Sequence, residues 1–272
     1  GPFDLVVDAT GARSVLAAEC GRTRRRELGF GALWASVPWP GAPFDPQRLE
    51  QRYRGAAVMA GVLPIGRRYG EDAPLATFFW SLKSTDYPAW RARGLEAWKQ
   101  EVVALWPQTA GLLDAIDTPD ALTLAHYAHH TLARPIAEGM AVVGDAAHAT
   151  SPQLGQGANM GLLDAWALAR ALEGAADIQS GLAAYARARR FHVRLYQALS
   201  AVFTPFYQSD SRLLPAIRDL CLAPAVRLPL APRLLAAMVA GLLGDPLGRL
   251  DLRSPAKRSS DHQTFTRSAG AR

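Results

Sequence analysis

Met140-Ala-Val-Val-Gly144-Asp145-Ala-Ala-His148-Ala-Thr-Ser-Pro152-Gln-Leu-Gly155-Gln156-Gly157-Ala158-Asn159-Met-Gly161-Leu-Leu-Asp164-Ala165 is the stretch that decides how this chain is read. Met140 to Val143 is a short apolar run closed by Gly144-Asp145, the pattern of a buried strand. A loop constrained by Gly and Pro follows. From about Asn159 to Glu173, Leu162, Leu163, Trp166, Leu168 and Leu172 recur at helical spacing, and Gly174 is a natural stop. Strand, acid, loop and helix in that order put Asp145 at a strand end, placed to accept hydrogen bonds from hydroxyls. Gly155 and Gly157 permit positive φ and let a ligand approach the backbone. The helix start offers unpaired N–H groups and the positive end of the helix dipole, a site for an anion or an electron-rich heterocycle. The spacing Gly155-x-Gly157-x-x-x-Gly161 is not a dinucleotide phosphate loop. That loop needs its glycines directly after a strand, and here residues 145–154 intervene.

Phe3 to Ala9 reads as another short strand, continuous in apolar residues as if covered on both faces, and broken by Thr10-Gly11. Ala56–Ile65 and Leu75–Lys83 flank a turn signal at Gly66–Asp72 and predict an antiparallel pair. Leu95 to Ile116 has helical spacing, with Pro107 starting, ending or kinking a helix, and Ala121 to Ala133 looks extended. A helix from Gly181 to about Phe203 is expected to end at Pro205. Five later prolines cut the chain into short helical pieces. The segment Leu213–Leu243 is expected to form an apolar layer. It could pack internally, form an oligomer interface, or touch a membrane with Arg218, Arg227 and Arg233 toward headgroups.

At 272 residues, 49% hydrophobic and 20% charged, the chain can build about two domains, and global disorder is excluded. The longest uncharged apolar run, Leu234–Gly244, is too short to span a bilayer. The net charge of +6 is concentrated in a tail, Arg253–Arg272, and in the cluster Arg22, Arg24, Arg25 and Arg26. Neither is interleaved with aromatics or joined to a zinc-finger or RNP-like motif. They read as a solvated arm and turn, not a nucleic-acid site. Cys20 and Cys221 are too few for a disulfide scaffold and fit a reducing cytoplasm. His126, His129 and His130 have no Cys, Asp or Glu at ligand spacing, so no metal site is expected. The absence of Gly-x-Ser-x-Gly argues against a serine hydrolase. Trp34, Met59, Phe79 and Trp80 are read as core packing, with an aromatic substrate pocket as the alternative.

The string from Met140 to Ala165 resembles the second FAD motif of the para-hydroxybenzoate-hydroxylase-like flavoprotein monooxygenases. It matches at Gly144, Asp145, Ala146, Ala147, His148, Pro152, Gly155, Gly157, Asn159 and Asp164. The resemblance implies that Asp145 binds the ribityl chain of FAD. It also implies that Pro152, Gly155, Gln156, Gly157, Ala158 and Asn159 line the flavin, with backbone N–H groups against the pyrimidine ring. A weaker resemblance, to the family's middle motif, covers Asp4 to Ser14 and implies cofactor contacts at Thr10 and Gly11. Thr10 stands where the family usually has Asp, a form similar to flavin-dependent halogenases and geranylgeranyl reductases. The residues after about 200 are faintly similar to ubiquinone-biosynthesis hydroxylases. The family's Gly-x-Gly-x-x-Gly segment has no counterpart in the sequence.

The resemblance therefore implies the C-terminal part of such an enzyme, with an α/β (α+β) fold. Residues 1–20 and 134–175 would form a partial, Rossmann-like FAD-binding domain, and 21–133 an inserted antiparallel β-sheet substrate domain. Residues 176–252 would be helical and 253–272 a disordered tail. The implied activity is NAD(P)H-dependent hydroxylation of a small aromatic or quinone-like substrate, with FAD as cofactor, no metal and no side-chain nucleophile. A flavin-dependent reductase or halogenase on the same scaffold, and a non-catalytic fragment needing a partner, stay open as alternatives. The cytoplasm is the expected location, with a peripheral membrane contact and a homo-oligomer left open.

Overall fold

The computed structural model describes residues 3–21, 25–250 and 252. Its strands are β1 (Val6–Asp8), β2 (Arg26–Glu27), β3 (Phe30–Pro38), β4 (Glu50–Arg54), β5 (Val58–Arg67), β6 (Pro74–Lys83), β7 (Thr123–Ala125), β8 (Ala128–His129), β9 (Ile136–Ala137) and β10 (Met140–Val142). Its helices are α1 (Tyr87–Arg93), α2 (Leu95–Leu105), α3 (Ala110–Leu113), α4 (Asp145–His148), α5 (Gly157–Glu173), α6 (Ile178–Tyr207), α7 (Leu213–Ile217), α8 (Ala223–Ala225), α9 (Ala231–Val239) and α10 (Pro246–Arg249). A π-helical turn, Arg218–Leu222, joins α7 to α8.

The largest sheet has the order β4-β5-β6-β3-β7 and is antiparallel throughout. Because strand side chains alternate between faces, it has two distinct surfaces. Leu33, Ala35 and Val37 of β3, Ala60 and Val62 of β5, and Phe78 and Trp80 of β6 face one core. α1, α2 and the turn after them cover it with Trp90, Trp98 and Trp106. Trp98 meets Phe78, Trp80 and Trp90 edge-on, at centroid distances of 6.0, 6.4 and 6.1 Å, the arrangement aromatic quadrupoles favour.

A second sheet, β1-β10-β9, joins segments more than a hundred residues apart. β1 runs parallel to β10, with Val6 opposite Met140 and Asp8 opposite Val142. α5 and α6 pack on it through Leu163, Ala167, Leu168, Leu182 and Tyr185, and the Tyr185 hydroxyl donates to the Val142 carbonyl at 2.8 Å. This parallel pair packed by helices, beside an antiparallel sheet, is the mixed α/β class expected.

The antiparallel pair, the 140–143 strand and the 159–173 helix appear where expected. Three details differ. Val6 and Val7 are 42% and 47% exposed rather than covered, since β1 pairs only with β10 among the described residues. The helical pattern over 95–116 breaks at Trp106, whose φ of −146° reflects the extended preference of a residue before proline. α6 does not stop at Pro205; it continues one turn to Tyr207, where the Gln208 N–H closes on the Thr204 carbonyl at 2.8 Å. α6 also starts early, at Ile178, under a capping box between Asp177 and Ser180. The tail at 253–272 and the basic residues Arg22 and Arg24 lie outside the described residues. No helix among those described is long and apolar enough to cross a membrane.

Candidate functional site

The parallel register of β1 and β10 sends both motif segments out of the same end of the sheet. Thr10-Gly11 follows β1 and Asp145 follows β10. This is the carboxyl end of the strands, where open α/β sheets bind ligands. Gly144 makes the turn out of β10 with φ +59° and ψ −142°, a conformation that suits glycine. A Cβ on it would lie 3.6 Å from the Cα of Gly161 in α5, so the strand end and the helix approach closely. Asp145 is exposed, and its Oδ1 lies 3.7 Å from where a side chain on Gly157 would begin. Gly155, exposed and left-handed at φ +63°, closes the turn begun by Pro152. No side chain caps α5, and the N–H groups of Gly157, Ala158 and Asn159 have no acceptor among the described residues. One carboxylate therefore stands beside three free donors at the positive end of a 17-residue helix.

On the β1 side, Asp8 is buried and its carboxylate is used internally. Oδ1 accepts from the Thr10 N–H at 3.0 Å and the Thr10 hydroxyl at 2.6 Å, and Oδ2 accepts from the Ser14 hydroxyl. Burial pushes the Asp8 carboxyl up, but these hydrogen bonds outweigh it and hold the group below its usual range. Asp8 thus shapes the Thr10-Gly11 turn and leaves Thr10 exposed. Between this turn and the Asp145 segment lies a cleft of about 410 Å³, lined by Ser14, Ala17, Arg25, His130 and Ala146 among others. His130 is buried, donates from Nε2 to the Ala146 carbonyl at 3.0 Å, and has no partner for Nδ1. An unsatisfied buried nitrogen in a cleft is a place where a ligand's polar group fits.

The structure adds a cluster that motif reading does not place. Asp164, fully buried on α5, accepts from the Gly144 N–H at 2.8 Å, from His148 Nε2 at 2.5 Å and from Arg189 Nε at 2.6 Å. Burial raises the Asp164 carboxyl, and His148 and Arg189 more than reverse this. Arg189 Nη1 faces Nδ1 of His192 at 3.0 Å, and His192 Nε2 donates to the Gly241 carbonyl at 2.9 Å. The signal available in sequence was Arg189 and His192 three apart on an amphipathic helix. Gln156 and Asn159 also turn inward. The Asn159 amide donates to Gln156 Oε1 at 2.9 Å, and the Gln156 amide donates to the Val239 carbonyl. What Gln156 presents to a ligand is therefore its backbone.

The three sequence-adjacent histidines go separate ways. His126 Nδ1 is near the Ser84 hydroxyl at 3.3 Å, His129 accepts from the Ser151 N–H at 3.3 Å, and His130 lines the cleft. The four residues weighed as core or pocket also divide. Trp80 packs in the tryptophan core, whereas Trp34, Met59 and Phe79 lie on the opposite sheet face. There Trp34 and Phe79 are 4.8 Å apart, and the Trp34 Nε1–H donates to the Tyr127 hydroxyl at 2.8 Å. Burial pushes the Tyr127 phenol up to about 12, so it stays protonated. Its own hydrogen is left to donate.

A parallel strand pair delivering two motif turns and an uncapped helix to one end, beside an antiparallel sheet, is the fold of FAD-dependent monooxygenases. The chain matches the family described as FAD binding domain over residues 4–198 and belongs to it. It is similar to a variant of HpxO from Klebsiella pneumoniae complexed with FAD, at a TM-score of 0.70 and 21% identity, covering 90% of this chain and 62% of that one. It is also similar to PqsL from Pseudomonas aeruginosa, at 0.64 and 22%, covering 79% and 59%. In sequence, 116 residues are 33% identical to a 3-(3-hydroxy-phenyl)propionate/3-hydroxycinnamic acid hydroxylase of Burkholderia cenocepacia (strain HI2424), 40% of this chain and 21% of that protein. YetM of Bacillus subtilis (strain 168) is 26% identical over 188 residues, 66% of this chain and 47% of YetM. The chain thus spans less than half the length of these curated relatives.

Proposed function

We propose that this chain forms the flavin-ring and substrate side of an FAD-dependent monooxygenase. The substrate would be a small aromatic or quinone-precursor compound, and NAD(P)H the reductant. The observation that carries the reading is the convergence of Asp145, Gly155 and the free N–H groups of α5 at one end of the parallel pair. Bound there, FAD would supply hydride acceptance and oxygen activation. The residues of the chain would do the rest. Asp145 would accept from ribityl hydroxyls, and the α5 amides would stabilise negative charge on the pyrimidine edge. Trp34, Phe79 and Tyr127 would offer a flat apolar surface and one hydroxyl donor to an aromatic ring. Residues 1–20 and 134–175 would serve the cofactor and residues 21–133 the substrate.

FAD titration followed by flavin fluorescence tests the assignment. In a form of the protein that binds FAD, Asp145→Ala should weaken binding by about 1.5–3 kcal/mol, the scale of a hydrogen bond to a charged group. Gly157→Val should weaken it further by blocking the approach to the helix start. Identical titrations for the parent chain and both variants would sink the proposal.

A further inference from the structure

We infer that Gly61 is a positioning residue for the substrate: having no side chain, it lets Phe79 lie down across β5 and so sets the height at which the Trp34 indole meets an aromatic ring. The inference rests on the reading that this face of the large sheet takes the substrate.

Register puts the three residues in one row. Gly61 is opposite Phe79 across the β5–β6 pair, and Phe79 is opposite Trp34 across the β6–β3 pair. Directly opposed residues of a sheet share a face. It is the face turned away from the tryptophan core, because the chain neighbours Ala60, Phe78, Trp80 and Leu33 line that core.

The backbone does not call for glycine at position 61. The residue sits inside β5, which is paired on both sides, and its φ lies outside the left-handed region. Glycine inside a strand weakens it and marks a place where another group approaches closely. Here that group is a ring: a Cβ on Gly61 would overlap Cζ, Cε1 and Cε2 of Phe79. The far edge of the Phe79 ring therefore rests on the β5 backbone. Trp34 comes next, its ring 4.8 Å from that of Phe79 at an angle of 32°, so the two rings lie against each other. Its Nε1–H is tied to the Tyr127 hydroxyl at 2.8 Å. Gly61 and Phe79 are buried and Trp34 is half-buried, so the stack is built outward from β5.

A side chain at position 61 removes the space beneath Phe79. The ring then has to stand up, and Trp34 cannot both keep its bond to Tyr127 and present the same flat side. An indole face favours a planar ring in offset stacking over a saturated ring of the same size. The ligand that fits is a planar ring with a hydrogen-bond acceptor at its edge, to meet the hydrogen of the Tyr127 hydroxyl. Cross-strand pairs of glycine with an aromatic residue also stabilise sheets by themselves, so selectivity, not stability, is the property that decides.

Nuclear magnetic resonance on this chain tests the inference without any cofactor. Trp34→Phe identifies the Trp34 indole N–H resonance, which is then followed in titrations with benzoate and with cyclohexanecarboxylate. The two probes share a carboxylate and differ in the flatness of the ring. The parent should bind benzoate about fivefold more tightly, the scale of one aromatic pair beyond area burial. Gly61→Ala should shift the resonance before any ligand is added and bring the two affinities to near equality. Phe79→Leu removes the ring without crowding the sheet and should do the same; it decides the matter if the Gly61 variant does not fold. A preference unchanged in the folded variants, whatever their melting temperatures, would mean that Gly61 and Phe79 serve packing alone and would overturn the inference. So would a parent that binds both probes equally. A parent that binds neither removes the substrate reading of this face, and the inference with it.

Discussion

Asp164 shows how one side chain can hold several parts of a site. It is fully buried and receives the Gly144 N–H, His148 and Arg189, so it links the β10 turn, α4 and α6 through α5. A buried charge costs several kcal/mol unless it is paired and hydrogen-bonded, and here both conditions are met. Asp164→Ala leaves Arg189 charged in a dry interior and frees the Gly144 N–H. The expected loss in chemical denaturation is about 3–5 kcal/mol. Asp164→Asn, which keeps an acceptor for Gly144, should lose less. A loss for Asp164→Ala under about 1 kcal/mol, the scale of an exposed pair, would show that the cluster does not hold the turn.

Between elements, the contact that matters most for the candidate site is the exit of α9 against the start of α5. Gly241 sits there at φ +75°, and a Cβ on it would overlap the carboxamides of Asn159 and Gln156. Gly55 offers a control: its φ is +63°, but nothing lies within 4 Å of a Cβ. Alanine at Gly55 should cost only the left-handed backbone penalty, about 1–2 kcal/mol. Alanine at Gly241 should cost that plus an overpacking term of about 1–3 kcal/mol. It should also speed hydrogen exchange at the Met160 amide, the first of α5 to be hydrogen-bonded, to the Gln156 carbonyl at 2.9 Å. Equal thermal losses and unchanged exchange at Met160 would mean that the C-terminal segment does not position the helix start.

The whole molecule should feel acid in two windows. Burial, and then the charge of Arg189, lower His192 to about 4 from an ordinary 6.5. The unfolded chain takes up that proton near 6.5 and the folded chain only near 4, so stability falls as pH drops between these values. The shift is worth up to about 3 kcal/mol. Burial lowers His129 and His130 as well, so they act in the same direction. Asp8 and Asp164 act lower. Their folded values lie below 3.8, so their contribution is present above that pH and lost as pH falls through the folded values. Denaturation midpoints measured as a pH series should show both windows, and His192→Gln should flatten the upper one. An unchanged upper slope would show that His192 is not the main proton acceptor there.

Periodicity and turn chemistry are local, and they sufficed for the β5–β6 pair, for β10 and for α5. The flavin motif was legible because its order of strand, acid, glycine loop and helix is contiguous from 140 to 165. The sequence by itself thus determined the family and the cofactor class, and it pointed to the acid and glycines proposed for the site. What lay beyond it depends on neighbours distant along the chain. The pairing of β1 with β10 brings Thr10 and Asp145 to one end across more than a hundred residues. Two residues as close in sequence as Phe79 and Trp80 go to opposite sheet faces, and the helices that bury one of them decide which is core. Gln156 spends its carboxamide on Val239, 83 residues away. Arg189 is tolerable on α6 only because Asp164 meets it inside the fold. Charge burial and long-range register are set by the packed whole, so only the tertiary structure could decide them.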